Sequence, residues 1–166
     1  VDIRTCFRFQ FGNAEAIETL ARSRAALPTA LFLVLLTAIA RNYDQNYFRE
    51  TPLWLFGPLI FSAFSGTFLF TILYLGFVRP RLECRPTIRT GVQWRRFMSL
   101  FWMTAPVAWL YAIPVERFMS LYHAAQANLL LLAVVSLWRV LLMARVVSVL
   151  QRVGYMRALG WVLMPA

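Results

Sequence analysis

From Pro52 to Val78 the chain runs for 27 residues without a charged side chain. As a helix this stretch would reach about 40 Å at 1.5 Å per residue, more than the roughly 30 Å hydrocarbon core of a bilayer. A water-soluble domain has no place for such a segment. Thr51-Pro52 supplies a cap and a first-turn proline. Gly57-Pro58 marks the expected bend.

Three other apolar stretches share this character. Ala25 to Ala40 lies between Arg24 and Arg41, with Pro28 near its start. Phe97 to Val115 is uncharged over 19 residues, and Pro106 and Pro114 within it deprive the carbonyls of Trp102 and Leu110 of their helical donors. A fourth stretch starts at Ala124 and continues past Arg139 to Ala144, with Arg139 read as reaching toward the inner interface. Sixty per cent of the 166 residues are hydrophobic and 14 per cent charged, against a usual charged share of about 25 per cent. The predicted fold is an all-α integral membrane protein with about four transmembrane helices, over 25–40, 52–78, 97–115 and 124–144.

Segments 1–24 and 151–166 flank the four-helix domain 25–150. Residues 3–11 alternate apolar and polar, a strand period, and an interfacial segment is the preferred reading. Gly12-Asn13 is a turn and cap, followed by a short amphipathic helix that places Ile17, Leu20 and Ala21 on one face. Residues 139–157 are expected to form a basic amphipathic extension on the membrane surface. Four Arg precede the first apolar stretch, which argues against a cleavable signal peptide. Val1 is not Met, and residues 161–166 resemble the start of a further apolar stretch, as in a chain truncated before another span.

Every one of the 17 basic residues is Arg, and the net charge is +10. With four spans, fourteen Arg fall on one side and only Arg41, Arg49 and Arg117 on the other. The excess of positive charge on cytoplasmic loops then puts both termini in the cytoplasm, in a bacterial inner membrane. Arg79, Arg81, Arg85, Arg89, Arg95 and Arg96 in the second loop, with Arg139, Arg145 and Arg152, are the expected contacts to anionic headgroups. Apolar spans have no role in a nucleic-acid binder, so nucleic acid is not an expected partner.

The absence of lysine excludes a Schiff base to retinal or pyridoxal phosphate. One His excludes an intrachain bis-His haem, and Cys6 and Cys84 are too few for a four-Cys zinc site. No cofactor is evident. Asp44, Glu50, Glu116 and His123 gather on the outer side and are the weak candidates for a metal, without a recognised ligand spacing. Ser65 lies mid-span, but His123 lies at the outer end of its own helix, so the depths for a serine hydrolase do not match. Ser62 and Gly66 form a small-xxx-small pattern suited to close helix packing. The spacing of Arg139, Arg145 and Arg152 is six and seven residues, unlike the three-residue spacing of a voltage sensor. No acidic residue stands inside a span, which disfavours an ion-coupled carrier.

The leading functional expectation is a structural, anchoring or assembly subunit of a larger membrane complex, not an enzyme, with lipid and other membrane subunits as partners. The alternatives are a transporter or channel component, and an outer-surface metal-dependent enzyme using the acidic loops.

Overall fold

A computed structural model describes residues 1–42, 56–74, 90–113 and 115–164. Among these the chain is all-helical. α1 is Ile3–Gln10, α2 Ala14–Arg22, α3 Ala26–Asn42, α4 Phe56–Leu73, α5 Thr90–Met103, α6 Leu121–Gln151 and α7 Tyr155–Leu163. Two 3-10 helices, Ala105–Ala112 and Val115–Arg117, stand between α5 and α6.

Among the described residues two helices, α4 and α6, are long and apolar enough to cross a membrane. α2 and α3 qualify together as a third candidate, bent by 108° at the break between them. Pro28 falls in the first turn of α3, where no intrahelical donor is lost. The bend expected at Gly57-Pro58 falls at the edge of the described residues, which take up α4 at Phe56. α6 is continuous through Arg139 and, with 31 residues, reaches about 46 Å.

The third apolar stretch is not one α-helix. α5 already begins at Thr90, takes in Arg95 and Arg96, and stops at Met103. Pro106 cannot donate to the α-helical ladder, and the chain tightens into the 3-10 helix from Ala105.

Hydrogen bonds between side chains and backbone fix the relative directions. Arg95 donates to the carbonyl of Arg24 at 3.0 Å and Thr37 to that of Ala105 at 3.2 Å, so α3 runs parallel to α5 and its 3-10 continuation. Tyr74 pairs with Thr90 at 3.2 Å and Trp94 donates to Thr67 at 3.3 Å, which makes α4 antiparallel to α5. Gly66 is buried in this seam against Met98 and Phe101. Val135 packs on Val107 and Ala108, and Arg139 reaches Thr104, so α6 is antiparallel to the same segment.

The N-terminal segment differs from its expected form. Residues 3–10 are helical and not extended. Ile3, Phe7 and Phe11 are four apart, so one helix face carries them outward while Phe9 is fully buried. An alternation of period two contains a subset at i, i+4, and tertiary burial of Phe9 decided between the two periods. Asn13 caps α2 by accepting from the Ala16 amide at 3.0 Å. Ile17, Leu20 and Ala21 share a face, and protein covers it: they meet Leu100, Met103, Leu142 and Val146.

The C-terminal stretch also lies in the core and not on a surface. Leu142, Met143, Ala144, Val146 and Val147 are all buried. α6 ends with Arg152 in the left-handed conformation (φ 51°), and the Arg152 and Val153 amides both return to the Ser148 carbonyl. The Ser148 hydroxyl donates to the Val153 carbonyl at 2.8 Å. α7 then folds back, burying Ala158, Trp161 and Val162 against Met143, Ala144 and Val147.

Candidate functional site

At the break after α5 the Phe101 carbonyl accepts from the Thr104 amide at 3.3 Å, and side chains from the break itself and from two other segments, α1 and α3, converge on the carbonyls around it. Thr104 is fully buried, and its hydroxyl donates to the Phe101 carbonyl at 2.7 Å. Gln10 Nε2 donates to the Met103 carbonyl at 2.7 Å. The Thr37 hydroxyl is within bonding distance of both the Leu33 carbonyl, 2.8 Å, and the Ala105 carbonyl, 3.2 Å. It also accepts from Trp109 Nε1 at 2.9 Å.

Arg139 belongs to the same cluster. Its Nε donates to Thr104 Oγ1 at 3.1 Å, and its guanidinium lies 5.8 Å from the centre of the Phe101 ring. Trp138 donates to the Gln10 carbonyl at 3.0 Å and ties α6 to the end of α1. Two buried atoms, Gln10 Oε1 and Trp102 Nε1, have no hydrogen-bond partner.

Below this cluster an open groove of about 520 Å³ follows α6. The end of α1, the start of α7 and one face of α6 with Arg145 line it. Arg145 Nε donates to the Gly12 carbonyl at 3.2 Å. Gly12 has φ 70°, a conformation that favours glycine. In α1, burial pushes the Cys6 thiol above its ordinary pKa, an effect the positive N-terminus partly offsets.

The predicted site residues are distributed unevenly. Arg95, Arg96 and Arg152 are exposed, whereas Arg139 and Arg145 are half-buried and bind protein groups. Arg79, Arg81, Arg85 and Arg89 lie outside the described residues. Asp44, Glu50 and the Glu116 side chain also lie outside them. His123 is exposed, and its Nδ1 pairs with the Ser120 hydroxyl at 2.7 Å. Among the described residues no three His, Cys, Asp or Glu groups come together as metal ligands. Ser62 is half-buried on the same helix as buried Gly66. Gln10, Gly12, Thr37 and Thr104 were not singled out from the sequence as site residues. Pro106 pointed to the break but not to the side chains that repair it.

No protein-family model, curated protein or solved structure matches the chain.

Proposed function

We propose that the chain is a four-span membrane protein serving as a structural, anchoring or assembly subunit of a larger membrane complex, with both termini in the cytoplasm. The observation that carries this reading is the use of polar side chains at the helix break. Thr104, Gln10 and Thr37 serve the Phe101, Met103 and Ala105 carbonyls of the chain itself. A broken helix that serves transport keeps such carbonyls for its cargo. The transporter or channel reading therefore stands second.

The span count has separate support. α3, with 17 residues, is about 25 Å long, and Phe97 to Ala112 covers roughly 28 Å through its α and 3-10 parts. Either reaches most of a bilayer core when flanking Arg extend to the headgroups. On α4 the large side chains of Ile60, Phe61, Phe64 and Phe68 are exposed, a face that suits acyl chains or a partner helix and not water. The exposed Arg95, Arg96 and Arg152, with the Arg of segment 79–89, then lie at the inner leaflet as contacts to anionic headgroups.

The test is purification from the membrane in mild detergent after crosslinking. A second membrane protein in fixed ratio is the expected result. A chain that purifies alone and supports ion or solute flux in liposomes overturns the subunit reading in favour of transport.

A further inference from the structure

Val134, Leu137, Leu141 and Arg145 are spaced by three or four residues, so one face of α6 carries all of them. The first three are exposed apolar side chains. The fourth is an arginine, about 16 Å further along the helix axis than Val134. This face is the floor of the groove described above. We propose that it binds one anionic glycerophospholipid, with the phosphate on the Arg145 guanidinium and an acyl chain lying along Leu141, Leu137 and Val134. The proposal rests on the membrane reading of the chain and deepens it, because a diffuse arginine collar predicts no stoichiometric site.

The chemistry of the lining selects the occupant. Among the described residues that line the groove there is no carboxylate, so Arg145 meets no countercharge there. Its Nε is held by the Gly12 carbonyl, which fixes the plane of the guanidinium. The two terminal nitrogens remain as a planar fork, the geometry that grips a phosphate at two oxygens. The other side-chain donors of the lining are committed: Gln10 Nε2 donates to the Met103 carbonyl, and Gln10 Oε1 is a buried acceptor that offers an anion nothing. Trp138 Nε1 donates to the Gln10 carbonyl at 3.0 Å, and the Tyr155 hydroxyl to the Leu141 carbonyl at 3.3 Å. A ligand therefore meets one cation at one end of the groove and hydrocarbon along the rest of the α6 face. That polarity matches a lipid anion. A free phosphate would leave the apolar wall uncovered, and a peptide would find few donors for its carbonyls.

The lipid arrives from the side. α6 is long and apolar enough to span a bilayer, and the charged end of the groove lies toward its C-terminal, Arg-bearing end. Headgroup and chain thus take the order they have in the inner leaflet.

The test is native mass spectrometry of the delipidated chain in detergent, titrated with dioleoylphosphatidylglycerol, dioleoylphosphatidylcholine or glycerol 1-phosphate. One tightly bound phosphatidylglycerol per chain is expected, about tenfold tighter than phosphatidylcholine, which has the same phosphate but brings a choline cation of like charge up to Arg145. Glycerol 1-phosphate should not bind measurably. Arg145→Gln should weaken phosphatidylglycerol about tenfold or more, while Arg4→Gln, at an exposed position of α1, should not. Because Arg145 also holds Gly12, a second variant keeps that contact: Leu137→Glu places a carboxylate on an exposed wall position and should lose the lipid equally. Unchanged binding in both Arg145→Gln and Leu137→Glu overturns the site while leaving the membrane reading intact. Glycerol 1-phosphate binding as tightly as the lipid overturns the acyl-chain part. A protein retained one-to-one and released by Leu137→Glu makes the groove a protein interface and overturns the lipid assignment. A chain found in the aqueous fraction of cells sinks the membrane reading itself.

Discussion

Gly66 faces Met98 across a gap that has no room for a methyl group: a Cβ on Gly66 would stand 2.8 Å from Met98 Sδ and 2.8 Å from Phe101 Cδ1. The close approach of α4 to α5 depends on that missing atom. Gly66→Leu should cost about 1–3 kcal/mol, since an overpacked seam must displace Met98 and Phe101. Phe64→Leu, on the exposed face of the same helix, should change little. Thermal unfolding of both variants in one detergent checks this, and equal midpoints would show that the seam opens freely.

Gly12 has a different reason to be glycine. Its φ is 70°, and a Cβ there would approach Arg145 Cγ to 3.1 Å. Gly12→Ala should destabilise by about 1–2 kcal/mol from backbone strain alone. Gly160, in α7, has open space around its Cβ position. Gly160→Ala should be neutral or should stabilise by about 0.5–1 kcal/mol, because alanine is the better helix former. Opposite signs in chemical denaturation are the expected outcome.

Thr37 and Trp109 form one unit, with the indole donating to a hydroxyl that itself serves the backbone. In a double-mutant cycle, Thr37→Val and Trp109→Phe should couple by about 0.5–1.5 kcal/mol. Additive effects would mean that the two side chains act independently.

Burial raises the Cys6 pKa, so the folded state favours the thiol. The stabilisation is fully present below the pKa of an unfolded cysteine, about 8.5, and is lost as pH rises through the higher folded value. Wild-type stability should therefore fall with alkaline pH more steeply than that of Cys6→Ser. In a Cys84→Ala background, alkylation of Cys6 in the folded chain should reach half its maximal rate at higher pH than in the denatured chain. The same midpoint in both would remove the burial effect.

The proposed orientation places residues 79–96 inside the cell and 41–51 outside. With Cys6 and Cys84 replaced, Asn46→Cys should react with a membrane-impermeant thiol reagent on whole cells, and Arg89→Cys should react only after lysis. The reverse pattern would invert the topology.

The sequence alone determined that the described chain is helical and that it carries helices long and apolar enough to cross a membrane. Uncharged runs such as 52–78 leave the backbone no partner in lipid except itself, and helix is the local way to satisfy it. Local chemistry was equally readable at Asn13, whose side chain caps the helix that follows it, and at Pro106, which ends α5 because it lacks an amide hydrogen. Tertiary structure decided what covers each apolar face. The faces of α2 and of residues 142–147 have the composition of membrane-surface helices, yet they bury each other around Leu100 and Met103. Residues 3–11 have a strand period in sequence, and the helix prevailed with Phe9 in a buried place. Arg139 and Arg145 look, in sequence, like Arg95 and Arg152. Only the approach of Thr104 and of the Gly12 carbonyl separates them, because a hydrogen-bond partner 35 or 133 residues away leaves no trace in local spacing.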